Sequence, residues 1–72
     1  MSIVIIVEDN RSVSNTIFPE GSVIGKNCEF TNCKFKNGCI FKENCKFTLC
    51  EFTNCKFARG YIFKQCKLYF SF

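Results

Sequence analysis

The stretch CEFTNCKFKNGCIFK, residues 28–42, decides how this chain folds. It holds three Cys-x-Phe triplets, Cys28–Phe30, Cys33–Phe35 and Cys39–Phe41, with successive Phe five and six residues apart. An amphipathic helix would place apolar residues at i, i+3, i+4 and i+7. Residues two apart instead share one face of an extended chain. Each unit therefore reads as a very short strand with two inward side chains. A corner follows it, and Asn and Gly there are good turn formers. A chain that bends at every fifth or sixth residue winds into a β-solenoid.

The pattern runs on from Cys28. The bulky inward residue falls at Phe30, Phe35, Phe41, Phe47, Phe52, Phe57, Phe63 and Leu68. Two positions earlier stand Cys28, Cys33, Cys39, Cys45, Cys50, Cys55, Tyr61 and Cys66. Counting back adds Ile24 with Ser22, and Phe18 with Thr16. Residues 28–42 match residues 50–64 at 12 of 15 positions, an offset of 22 residues or four units. A three-sided coil would recur at 16 or 17 residues, and no register of comparable identity is read there. This predicts four units per turn, with Cys28 over Cys50, Cys33 over Cys55, Cys45 over Cys66, and Gly38 recurring at Gly60.

The units CEFTN and CKFTL resemble the pentapeptide-repeat family, in which a small residue stands two before Leu or Phe. The resemblance covers residues 28–70, and the six-residue units and Tyr61 depart from it. It implies an all-β, right-handed four-sided β-helix, here of about three coils. TIFPEG (16–21) and SVIGKN (22–27) are similar to the left-handed hexapeptide-repeat family, the alternative fold. The expected organisation is a single β-solenoid domain over 1–72. Residues 1–12 would form an N-terminal strand and cap, with a strand over Ser2–Val7 and a turn at Asp9–Asn10. Residues 13–27 would form an irregular first coil, with Val13 22 residues before Phe35, and residues 28–70 the regular repeats.

Size and composition set further bounds. A chain of 72 residues and 8.3 kDa makes one small domain, and such a domain buries only about 60% of its unfolded surface. Three coils is near the minimum for a stable stack. The longest apolar run, Ile3–Val7, is far short of the roughly 20 residues that span a bilayer. No basic segment with a long apolar core opens the chain, so no membrane partner is expected. The seven Cys are odd in number. Free thiols in the cytosol of a bacterium or a virus host are the expectation. With no His, and four or five residues between successive Cys from Cys28 to Cys55, the spacing follows the structural repeat. Neither a metal nor a cofactor site is expected. No acid/base pair, phosphate loop or activated nucleophile is visible, so the protein reads as a non-enzyme.

Charge is unevenly spread. Residues 1–25 carry a net −2 and residues 26–72 a net +6. In the four-sided register the outward residues form ladders of Lys34 with Lys56, Lys46 with Lys67, Lys42 with Lys64, and Ile40 with Ile62. These eight residues are the candidate partner-binding strips. They suit an acidic protein surface or, as the alternative, a nucleic acid held by lysine ladders. The open end of a solenoid needs cover. Leu68, Tyr69, Phe70 and Phe72 are the candidate interface for a homo-oligomer built through the solenoid ends. The function expected is a protein-interaction module. The family resemblance implies a modulator of type II topoisomerases as a further alternative, although that mimicry uses acidic rods and this chain is basic.

Overall fold

A computed structural model describes residues 3–69, and no helix occurs among them. The strands, two or three residues each, are β1 (Ile6–Val7), β2 (Ser12–Ser14), β3 (Ile17–Phe18), β4 (Val23–Ile24), β5 (Glu29–Thr31) and β6 (Lys34–Phe35), followed by β7 (Ile40–Phe41), β8 (Lys46–Thr48), β9 (Glu51–Thr53), β10 (Ile62–Lys64) and β11 (Lys67–Tyr69). They form three parallel sheets, ordered β1-β4-β7, β2-β5-β8-β10 and β3-β6-β9-β11. These are the three sides of a β-solenoid of about four turns. Lys56 extends the first side by a single bridge to Ile40.

The all-β solenoid matches the reading from sequence, but the number of sides does not. Glu29 pairs with Ser12 and Lys46, and Lys34 pairs with Ile17 and Glu51. The coil therefore repeats every 17 residues, closing to 16 in the last turn, where Lys46 meets Ile62 and Glu51 meets Lys67. Three sides replace four, and about four turns replace about three. Corner length is the physical reason. The corner between the second and third sides is always short. The corner between the first and second is always one residue longer, and only corners of equal length stack without breaking the strand pairing beside them. The 22-residue identity joins units that lie on different sides.

The first residues of the chain also differ from expectation. Ile6–Val7 is the first rung of the coil, paired in parallel with Val23–Ile24, rather than part of a separate cap. Val13 pairs with Phe30 in the same 17-residue register as the later coils, so residues 13–27 form a regular turn.

Every corner among the described residues turns through one residue in the left-handed region. The series are Asn10, Asn27, Asn44 and Gly60; Asn15, Asn32, Leu49 and Gln65; and Gly21, Gly38 and Asn54. Gly has no Cβ to clash there, and Asn tolerates the region through local hydrogen bonding. Their amides donate to the next coil, as in Asn10 N–H to the Lys26 carbonyl at 2.8 Å and Asn15 N–H to that of Thr31 at 3.0 Å. Side chains add a second ladder, with Asn32 Nδ2 donating to Asn15 Oδ1 at 2.8 Å. Gly25 answers a different need. A Cβ there would lie 2.7 Å from the Asp9 amide nitrogen.

The core is built of aromatic columns. On the third side Phe18, Phe35 and Phe52 stack face to face at 4.6 and 4.9 Å. On the second, Phe30, Phe47 and Phe63 stack at 5.4 Å. Columns on different sides meet edge to face, as Phe47 and Phe52 do at 4.8 Å and 88°. Both arrangements suit the ring quadrupole.

Candidate functional site

The predicted outward strips are separated by the true register. Lys34 lies between Ile17 and Glu51, and Lys46 between Glu29 and Ile62. Lys67 lies beside Glu51, Lys64 beside Thr48, and Lys56 beside Ile40. Lys42 stands at the corner after β7. None of the ladders Lys34–Lys56, Lys46–Lys67, Lys42–Lys64 or Ile40–Ile62 forms. Where charged residues do stack, Glu29 with Lys46 and Glu51 with Lys34 and Lys67, the signs alternate, which is the favourable arrangement for neighbouring strands. On the first side Ile6, Val23 and Ile40 stack instead, a stripe that the 22-residue register hid.

The same alternation runs down one corner. The hydrogen-bonded rungs place Asp9, Lys26, Glu43 and Arg59 above one another. Asp9 Oδ1 accepts the Lys26 amide at 2.8 Å, and Arg59 Nε lies 3.5 Å from Glu43 Oε2. Negative and positive residues thus succeed each other at every turn.

The cysteines occupy the interior of the corners. In the 17-residue register Cys28 lies under Cys45, Cys39 under Cys55, and Cys33, Cys50 and Cys66 form a column. Each thiol finds backbone carbonyls, as Cys28 Sγ–H does at Glu8 (3.3 Å) and Cys50 Sγ–H at Phe30 (3.6 Å). Ser22 plays the same part with its hydroxyl, donating to the Pro19 carbonyl at 2.8 Å and accepting the Ile5 amide at 3.1 Å. Tyr61 does so from further away, its hydroxyl reaching the Phe41 carbonyl at 2.7 Å. Small size and a weak donor explain the choice of Cys here.

All seven Cys are free thiols. Burial pushes Cys50 up to about 11 and also raises Cys45. A hydrogen bond between Cys39 and Cys55 splits that pair. It holds the Cys55 proton in place, with burial adding to the effect, and draws Cys39 down to about 7 against its burial. Among the described residues no group of three or more His, Cys, Asp or Glu converges as metal ligands would. The thiols serve as core and as corner donors.

The fourth coil shows a different surface. Phe57, Phe63 and Leu68 are its inward residues, yet Phe63 is 38% and Leu68 44% exposed, because no further coil covers them among the described residues. Tyr61 and Cys66 are half-buried beside them, and Tyr69 is exposed. Lys56 on the first side, Arg59 at the next corner, Lys64 on the second side and Lys67 on the third ring this apolar centre, and residues 55–69 hold no acidic residue. Leu68 belongs to this face, Tyr69 follows it on the outer side of β11 beside Thr53, and Phe70 and Phe72 lie outside the described residues. Phe57 and Phe63 were legible only as core. That they belong to this face follows from their place in the last described coil.

No protein family, curated protein or solved structure matches this chain. No helix among the described residues is long and apolar enough to cross a membrane.

Proposed function

We propose that this protein is a non-enzymatic interaction module that docks a protein partner on the open face of its fourth coil. The observation that carries this reading is the ring of Lys56, Arg59, Lys64 and Lys67 around Phe57, Phe63 and Leu68. An apolar centre with a polar rim is the usual anatomy of a protein interface. The matching partner surface is apolar with a rim of carboxylates, since rim charges select partners by complementarity. Interleaving of lysine with glutamate on the sides removes the like-charge ladders that a nucleic-acid track would use.

The test is affinity capture with wild type, with Phe63→Glu/Leu68→Glu, and with the lateral variant Lys34→Glu, each checked for an unchanged circular dichroism spectrum. The reading predicts that bound proteins are lost only from the end-face variant. Equal capture by all three would overturn it. Tight binding to DNA or RNA at low salt, lost on charge reversal at Lys46 and Lys67, would put a nucleic-acid partner in its place.

A further inference from the structure

We infer that the partner for the fourth coil is the first coil of a second copy, so that the protein stacks head to tail. The inference rests on the end-face reading and names its occupant. Four observations support it.

The first is charge. The first coil carries Glu8, Asp9 and Glu20 against Arg11 alone, and the fourth carries four cations and no acid. A tail-to-tail pair would set two basic rings against each other. Head-to-tail stacking sets a basic ring on an acidic one, and like-charge juxtaposition is what interfaces avoid.

The second is the corner ladder. Asp9, Lys26, Glu43 and Arg59 alternate in sign through the four coils. Stepping one more coil onward brings Asp9 of the next copy over Arg59, and the alternation continues across the joint without interruption.

The third is the backbone. Within the molecule the left-handed corner residue of one coil donates to the next, as Asn10 does to Lys26 and Asn44 to Arg59. Strand residues donate back, as Lys46 does to Cys28 and Ile62 to Cys45. The same translation sets Gly60 N–H toward the Asp9 carbonyl of the next copy. It sets that copy's Ser12 N–H toward the Tyr61 carbonyl. Parallel strands pair this way only when the copies point in one direction.

The fourth is the core. The column ending in Phe57 would meet Val7, and the column ending in Phe63 would meet Val13. Both valines are half-buried and pack on the core. On these two sides small residues at the head leave room for large rings at the tail, while the third-side head residue, Phe18, is already 1% exposed. A contact that joins head to tail is heterologous and does not close on itself unless rotation returns it to its start. The product is therefore a growing stack, in which the solenoid continues from copy to copy.

Sedimentation equilibrium of the whole chain from micromolar to millimolar concentration tests this, beside Asp9→Arg, Arg59→Asp and an equimolar mixture of the two. The Arg59 side chain is 86% exposed, so Arg59→Asp leaves the core untouched should Asp9→Arg, which loses a backbone contact, fold poorly. The Asp9→Arg/Arg59→Asp double variant supplies a second rescue within one chain. Average mass should climb steadily with wild-type concentration. Each single reversal should weaken assembly roughly fivefold, the upper end of the range for exposed charge pairs, and the mixture or the double variant should restore it. A wild type that stays monomeric throughout overturns the stack, while the end-face reading still stands or falls on capture of another protein. A wild type that stops at a dimer, or reversals that are never rescued, also overturns it.

Discussion

The second and third coils and the fourth coil are written in the same pattern of inward pairs two residues apart, and they end in different states. Phe52 is 1% exposed and Phe63 38%. Phe52 has ring neighbours before and after it, from Phe35 at 4.9 Å to Phe57 at 5.2 Å and Phe63 at 5.7 Å. Phe63 has rings on one side only among the described residues. In a solenoid each repeat is stabilised by its neighbours, so burial belongs to position in the stack rather than to the unit. The same side chain is core in one turn and binding surface in the next.

The sharpest way to break this comparison is to truncate a ring in each region. Phe35→Ala removes the centre of the third-side column, and should cost about 3–5 kcal/mol. Many small domains are only about 5–15 kcal/mol stable, so this variant should sit close to unfolding in urea denaturation. Phe63→Ala should cost less than half as much. Equal losses would mean that the two coils are packed alike.

The corner cysteines offer a second contrast. Cys50 is buried between Cys33 and Cys66, whereas Cys66 is half-buried at the open end. Cys50→Leu should destabilise by about 1–3 kcal/mol through overpacking. Cys66→Leu has open space beside it and should be close to neutral in the same denaturation series.

Alkaline titration sharpens the picture of those thiols. Burial raises Cys50 from 9.0 to about 11, so the folded chain holds a proton that the unfolded chain has already released. Stability should be full below pH 9.0 and fall as pH rises toward about 11. Replacing Cys50 by Ala should flatten that fall, as read from thermal midpoints against pH. An unchanged slope would show that Cys50 is not the group responsible.

The smallest effect concerns the corners. Leu49 turns in the left-handed region at φ 54°, where Asn32 stands one coil earlier. Leu49→Asn should stabilise by about 1 kcal/mol, because Leu bears the steric cost of that region and Asn much less. A loss on this substitution would argue that the exposed Leu49 makes a contact worth more than its backbone strain.

Much of the solenoid could be read before the structure, and the failure came at one step. The phase of the units was legible, down to Ile24 with Ser22 and Phe18 with Thr16 in the least regular stretch. Alternation of side chains along an extended strand makes that phase visible. The number of sides was not read correctly, because sequence identity was weighed above corner length. From Val7 the inward residues step by six, five, six and again six, five, six before the last turn shortens. That cycle of three was present throughout. The outward ladders depend wholly on register, so one wrong step moved each lysine to a wrong neighbour. It also concealed the Asp9–Lys26–Glu43–Arg59 alternation. The open face was partly legible: Leu68 was assigned to it, but Tyr69 beside it turns outward, and Phe57 and Phe63 follow the same pattern as the buried rings.

The three-sided register is the claim on which the ladders, the end face and the stack all depend. Three threonines test it directly. Thr31 pairs with Thr48, 17 residues on, in neighbouring strands, where backbones run about 4.8 Å apart. A four-sided coil would pair Thr31 with Thr53 instead. Nuclear Overhauser contacts on methyl-labelled threonine should join Thr31 to Thr48 and leave Thr31 and Thr53 unconnected. A Thr31–Thr53 contact without a Thr31–Thr48 contact would contradict the account.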